Sequence, residues 1–454
     1  MGQDQGSLGR QLYRMTWPML IGLLAIMSCQ LVDSAFIGQL GAQPLVVVGF
    51  TIPVYQLIIG TQVGLGIATT TIISTALGAG QTDWAKQLGA MVIGTGLVLI
   101  LALCLLLWVF QQQVVSTLGA QPELFPLLRE YWFPWLISTW MGAMLYFGYS
   151  IFRAHGETWL PGMVMVLTSV INMVLDPILI FVLEMGIAGA AWATVIAFGI
   201  GCWIIFSRIL SRGLIAWPAG GGMIRDGLHR LLAFMAPAMM SQFMPPISAM
   251  LATSIVAFYG DFAIAAWGLG TRIELFSIIL VLSLTMSMPP IIGRLRGNNE
   301  LDQIHQLVRI AVRFVLVSQL TTALIIAFVS NPISDLLTTD DNIAAVLNQY
   351  LWIVPISFSA LGVCMIMVSV CSALGTPNLA LLISMLRLLV CYIPGLWIGS
   401  QIGGLTGLFF GAMAGNLLAG LVGWQLYKRR FNQMRARLQS ESTPIADRVP
   451  LSQE

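Results

Sequence analysis

Long apolar runs alternate with short polar breaks along this chain, and the length of each run is that needed to cross a bilayer. Residues 15–39, 45–78, 88–110, 131–152, 159–183 and 187–210 are apolar and bounded by charge, glycine or proline. So are 231–258, 263–293, 307–330, 346–373, 378–399 and 403–427. A helix crossing a hydrocarbon core about 30 Å thick needs roughly 20 such residues. The pattern predicts an all-α membrane protein of twelve transmembrane helices. The more polar stretch 211–230, with its Gly220-Gly221-Gly222 run, reads as a linker between two lobes, 15–210 and 231–427. Residues 1–14 read as a polar amino-terminal segment and 428–454 as a basic, disordered tail.

The two halves repeat each other. Pro18 and Pro237, Gly41 and Gly260, Gly49 and Gly268, Gly78 and Gly297, Asp83 and Asp302, Tyr131 and Tyr350, and Gly156 and Gly375 are each separated by 219 residues. Six helices is an even number, so the two repeats insert in the same orientation, related by an axis along the membrane normal. A cleft between two such lobes can be exposed alternately to each side by rocking.

Composition agrees with the lipid reading. Of 454 residues, 57% are hydrophobic and 9% charged, against about 25% charged in soluble domains. Mean hydropathy is +0.87. The first apolar run, 16–41, is too long for the apolar core of a cleavable signal. Arg10, Arg14, Lys86, Arg153, Arg208, Arg212, Arg225, Arg230, Arg294, Arg296 and the basic tail fall on one side of the predicted membrane. The other side has Arg129 with Asp335, Asp340 and Asp341. The positive-inside rule then places both termini in the cytoplasm. The six cysteines lie in apolar segments without a CxxC pair and read as packing residues. His155, His229 and His305 fall in or beside loops and read as solvated. Neither a metal-ligand motif nor a nucleophile with a base is visible, which speaks against an embedded enzyme.

Four charges break the apolar pattern: Asp33, Asp176, Glu274 and Arg387. A charge at mid-span costs about 2.5–3.5 kcal/mol even on a lenient scale, so each needs a reason. Asn172 lies one turn before Asp176 on the same face, and Pro177 removes a backbone hydrogen bond beside it. Asp33 and Asp176 share the amino lobe without a basic partner. Desolvation and mutual repulsion oppose ionising both, so the pair is expected to bind a proton, or Na⁺ where enough oxygens converge. Glu274 and Arg387 are expected to neutralise each other as a structural ion pair. Gln30, Met240, Gln242 and Met244 are candidates for the wall of a substrate cavity, Met being flexible and polarizable.

These residues resemble the multidrug and toxic compound extrusion (MATE) family, from about Arg10 to Arg430. The carriers are Gln30-Leu31-Val32-Asp33-Ser34-Ala35-Phe36-Ile37-Gly38-Gln39-Leu40-Gly41 and the paired loops Ala154-His155-Gly156-Glu157-Thr158 and Ala373-Leu374-Gly375-Thr376-Pro377. Within the family the chain looks like the DinF-type branch. Resemblance to that branch implies an amino-lobe coupling network of Asp33, Asn172, Asp176, Thr194 and Tyr131, with a first-helix hinge at Pro18. The NorM-type branch has acidic residues in the seventh and tenth helices. Here Pro245 stands near the first of those positions, and 351–374 contains no acid. The resemblance further implies export of lipophilic or cationic small molecules against inward H⁺ or Na⁺. It implies no cofactor beyond the coupling ion and no nucleic-acid partner, and a monomer in the bacterial inner membrane. A lipid or lipid-linked sugar flippase of related architecture is the alternative. Its anionic cargo would call for several basic residues in the cleft, where only Arg387 and Arg272 lie deep enough.

Overall fold

Backbone polar groups find no partners in hydrocarbon, so each apolar run must close its own hydrogen bonds as a helix. The computed structural model describes residues 5–218 and 220–442, and no strand occurs among them. Ten of its helices are long and apolar enough to cross a membrane. Phe125–Ala154, 30 residues rich in Trp and Tyr, lies outside that ten because its aromatics lower its hydropathy. One of the ten, Pro377–Arg437, comprises two passes joined where Gly403 and Gly404 leave helical geometry. Gly404 has φ 59°, a conformation glycine adopts without a Cβ penalty. With Phe125–Ala154 and the second of these passes counted separately, the described residues carry twelve helical passes.

The first span is Gln5–Gln39, the second Ala42–Gly78, the third Thr82–Val109 and the fourth Phe125–Ala154. The fifth is Trp159–Val182 and the sixth Gly186–Ser211. The seventh is Gly221–Val256; the eighth is broken into Asp261–Ser277 and Ile279–Gly297; the ninth is Leu301–Phe328. The tenth runs over Asp341–Ala373, and the Gly403–Gly404 kink separates the eleventh from the twelfth. The repeat is visible in these bounds. Ala42 and Asp261, Thr82 and Leu301, and the short helices starting at Gln111 and Ser330 are again 219 residues apart.

Three sequence boundaries need correction. The first helix starts at Gln5, the seventh begins inside the expected linker at Gly221, and the last continues through Lys428 to Ser442. These ends are amphipathic, so an apolar-run criterion misses them. Leu8, Leu12 and Met15 are buried on one face, as are Tyr427 and Phe431 in the last helix. The expectations for residues 1–4 and 443–454 lie outside the described residues.

Each lobe has its own core, and the two exchange helix ends. Leu8, Leu12 and Met15 of the first span pack into the carboxy-lobe core, while Leu231 and Met235 of the seventh pack into the amino-lobe core. Leu12 and Leu231 are repeat equivalents. Between these ends the second span meets the eighth through glycine. A Cβ at Gly78 would lie 2.8 Å from the Arg294 Cα, and one at Gly297 would lie 2.6 Å from the Ala79 nitrogen. The Arg294 guanidinium crosses to the amino lobe and donates to the His155 carbonyl at the end of the fourth span. His155 is therefore half-buried in this seam, not solvated; its Nδ1 is 2.9 Å from the Ile151 carbonyl. His305 is also packed, stacked 4.9 Å from the Phe431 ring.

Two outcomes follow from the seam. Gly78→Val forces the second and eighth spans apart, at a cost of about 1–3 kcal/mol. A cysteine placed at Ser74, fully buried here, should then be labelled faster by a polar thiol reagent than in the parent; equal rates would refute the packing argument. Burial, with Arg294 and Lys86 adding to it, holds the His155 imidazole below its ordinary value. A lowered histidine favours the fold above the unfolded value of about 6.5, and that contribution is lost as pH falls. His155→Gln should flatten the acid limb of thermal stability in detergent.

Candidate functional site

Asp33 lies six residues before the end of the first span and Asp176 six before the end of the fifth. At 1.5 Å per residue both sit roughly 9 Å inside the end opposite the termini. Tyr131, six residues into the fourth span, and Thr194, eight into the sixth, come to similar depths. Four spans thus bring the polar side chains of the amino lobe to one level.

Local sequence explains how the fifth span presents its carboxylate. Pro177 supplies no N–H, and the helix widens to a π turn over Ile178–Val182 directly after it. Such turns shift the register of side chains and are common at functional sites. Gly189 lets the sixth span approach this distorted backbone; a Cβ there would lie 2.7 Å from the Leu179 carbonyl carbon.

A directed hydrogen-bond chain crosses three spans. The Cys29 thiol donates to Asn172 Oδ1 at 2.9 Å, Asn172 Nδ2 donates to Thr194 Oγ1 at 3.1 Å, and Thr194 Oγ1 donates to the Ala190 carbonyl at 3.1 Å. Asn172 is buried, its amide oriented by both neighbours. The carboxylates stand apart from this chain. Asp176 is 0% exposed, and both its oxygens are enclosed without a hydrogen-bond partner. The same is true of Asp33 Oδ1. No ion pair reaches either one among the described residues. Asp33, Asp176 and Tyr131 are within electrostatic range of one another. Tyr131 is buried and stacks on Trp135 at 6.5 Å.

The structure therefore joins Asn172 to Thr194 directly and gathers Asp33, Asp176 and Tyr131 around them without hydrogen bonds. Cys29 was missed as a polar participant. Its signal was its position, one helical turn before Asp33 on the same face. Pro18 lies 15 residues before Asp33, roughly 22 Å away along a helix that stays unbroken. There it packs against the fifth span, where a Cβ on Gly162 would lie 2.8 Å from the Pro18 carbonyl carbon. Gln30 is exposed, Gln242 half-buried, Met240 49% exposed and Met244 7% exposed. The two methionines are one turn apart yet differ in environment, so they do not form one continuous wall. The expected Glu274–Arg387 ion pair is not formed; the Tyr350 hydroxyl donates to Glu274 Oε2 at 3.2 Å instead. Among the described residues no three His, Cys, Asp or Glu side chains are grouped to hold a metal ion.

Parallel repeats, twelve passes and a buried polar network within one lobe define a two-lobed membrane transporter. The MatE family profile matches residues 18–178 and again 237–398, the second match starting at the repeat partner of the first. The chain belongs to the MATE family of transporters. The Vibrio cholerae MATE transporter VcmN, solved in a bent form, is 49% identical, with 94% of this chain and 98% of that one covered and a TM-score of 0.93. A Shewanella oneidensis FAD transporter is 29% identical over 94% of this chain and 96% of its own. The Staphylococcus aureus multidrug export protein MepA is 24% identical over 89% and 90%.

An enclosed carboxylate without donors is costly to ionise. Asp176→Asn keeps the shape and removes the charge. Its thermal stability should match the parent at pH 5 and exceed it by about 1–3 kcal/mol at pH 9. Identical pH dependence of the two proteins would show that Asp176 finds a partner after all.

Proposed function

We propose that the chain is a secondary active exporter that moves lipophilic or cationic small molecules outward in exchange for H⁺, or Na⁺, bound in the amino lobe. The observation that carries this reading is the pair Asp33, half-buried, and Asp176, fully buried, at one depth, with no ion-pair partner among the described residues and three enclosed oxygens unpartnered. Ionised, the pair attracts a cation; protonated, it attracts none. Protons enter from the end opposite the termini, which the positive-inside pattern assigns to the periplasm. Neutralisation releases the cargo outward, the first helix rearranges at Pro18, and the protonated lobe turns to the cytoplasm. Asn172, Thr194 and Tyr131 hold the acids in register. The protein works as a monomer in the bacterial inner membrane, with both termini cytoplasmic and no cofactor beyond the coupling ion.

The energetics suffice. One charge crossing 100 mV releases about 2.3 kcal/mol and one pH unit adds about 1.4. Together they support on the order of a 500-fold gradient of a neutral cargo. MepA, by its name, exports multiple drugs, which favours a small-molecule cargo range broader than a single compound. The FAD transporter brings a second cargo class, a flavin carrying phosphates, favoured by the presence of Arg387 within the carboxy lobe.

Purified protein in liposomes, given a pH gradient or a Na⁺ gradient separately, tests the coupling. Asp33→Asn and Asp176→Asn should each slow gradient-driven export of ethidium by at least about tenfold. Wild-type rates in either variant, or a wild type indifferent to both gradients, would sink the scheme.

A further inference from the structure

The carboxy lobe repeats the amino lobe's architecture with different chemistry. Tyr350 is the repeat partner of Tyr131 and Glu274 of Tyr55, but the positions equivalent to Asn172 and Asp176 are Cys391 and Gly395. Polar groups of this lobe include Glu274 on the eighth span, Tyr350 on the tenth, and Arg387 and Tyr392 on the eleventh. Trp267 and Phe409 meet the Tyr350 ring edge-on at 5.6 and 5.5 Å. Gly270 makes room for it, since a Cβ there would lie 2.6 Å from two ring carbons. The phenol is thus held in place, and its hydroxyl occupies Glu274. Next to Glu274 the eighth span breaks after Ser277, and Gln319, 1% exposed, donates to the freed Ser277 carbonyl at 3.0 Å.

Arg387 lies in a π turn, Leu386–Tyr392, in the repeat of the span that bears Asp176. It is half-buried and close enough to Glu274, Cys364 and Tyr392 to interact with them electrostatically. Yet it forms no direct ion pair with Glu274, and its Nε is enclosed without an acceptor. A guanidinium is permanently charged and presents five donors in a planar fork that fits a carboxylate or phosphate. A structural pair would have closed on Glu274. This arginine has been left open, whereas the mid-span charges of the amino lobe, Asp33 and Asp176, are both acids.

We infer that Arg387 binds an anionic group, a carboxylate or phosphate, of the exported molecule. The cargo then lies with its cationic or apolar body toward the amino-lobe acids and its anionic end in the carboxy lobe. This rests on reading the chain as an exporter but not on which ion drives it.

Riboflavin and riboflavin 5′-phosphate share one ring system and differ by the anionic group, so binding of each, followed by quenching of intrinsic tryptophan fluorescence, isolates that group. Wild type should bind the phosphate at least about tenfold more tightly than riboflavin. R387Q should erase that preference and leave riboflavin affinity unchanged, and R387K should restore part of it. Asp33→Asn, defective in coupling, should keep the preference, which separates failure of this proposal from failure of the coupling scheme. A wild type that binds the phosphate no better than riboflavin, or an R387Q protein that keeps the preference or loses both ligands equally, would overturn the assignment.

Discussion

The lobes are held together at the end that carries the termini, by an exchange of helix ends across a glycine seam. Leu8, Leu12 and Met15 are buried in the lobe to which their own span does not belong, and Leu231 and Met235 reciprocate. Burying one such side chain stabilises by about 1.5–3 kcal/mol over leaving it in water. Exposing the three amphipathic contacts of the first helix alone would exceed the roughly 2.3 kcal/mol released by one charge crossing 100 mV. The seam therefore cannot simply open to water. Any rocking of the lobes would have to pass the seam's side chains to new apolar partners, which would tie both helix ends to a single motion.

That constraint gives meaning to the distance between Pro18 and Asp33. The carboxylate sits near the end of the first helix away from the termini and the proline near the seam, where Gly162 lets its backbone touch the fifth span. Pro18 leaves one carbonyl without its helical partner, so bending there costs less than elsewhere in the helix. A change at Asp33 reaches the seam through a rigid helix about 22 Å long. The Cys29–Asn172–Thr194 chain ties the other end of that helix to the fifth and sixth spans. Movement of the first helix has to break the thiol link, the weakest donor in the chain.

The sequence shows the architecture because lipid imposes it. Apolar run length, charge bias and the 219-residue offset each reflect a constraint that acts on many residues at once. Helix ends were misjudged where amphipathic faces replaced apolar runs, as at Leu8–Met15 and Tyr427–Phe431. The acids of the site were visible because an unpaired charge in an apolar run is rare. Their spatial relation was not, since it depends on a π turn after Pro177 and on Gly189, whose backbone consequences no spacing rule states. The Glu274–Arg387 pairing failed for the same reason. Opposite charges at similar depth suggest a pair, but Tyr350, fixed by Trp267 and Phe409, reaches the carboxylate first.

The asymmetry between the lobes is the final step. Duplication supplies two equivalent cavities, and keeping both acidic would give two sites competing for the same cation. Here the helices kept their register while the chemistry diverged. The fifth span carries an amide and a carboxylate just before a π turn, and its repeat carries a guanidinium within one, two turns earlier than the acid's equivalent position. On the proposed reading, ionised acids in one lobe and a guanidinium in the other would set up a field between the lobes, positive toward the carboxy lobe. A molecule with separated charges aligns in such a field, whereas a simple cation is drawn to one side only. Protonating the amino-lobe acids would remove half of that field and leave the other half intact, so release would begin at the cationic end of the cargo while its anionic end is still held.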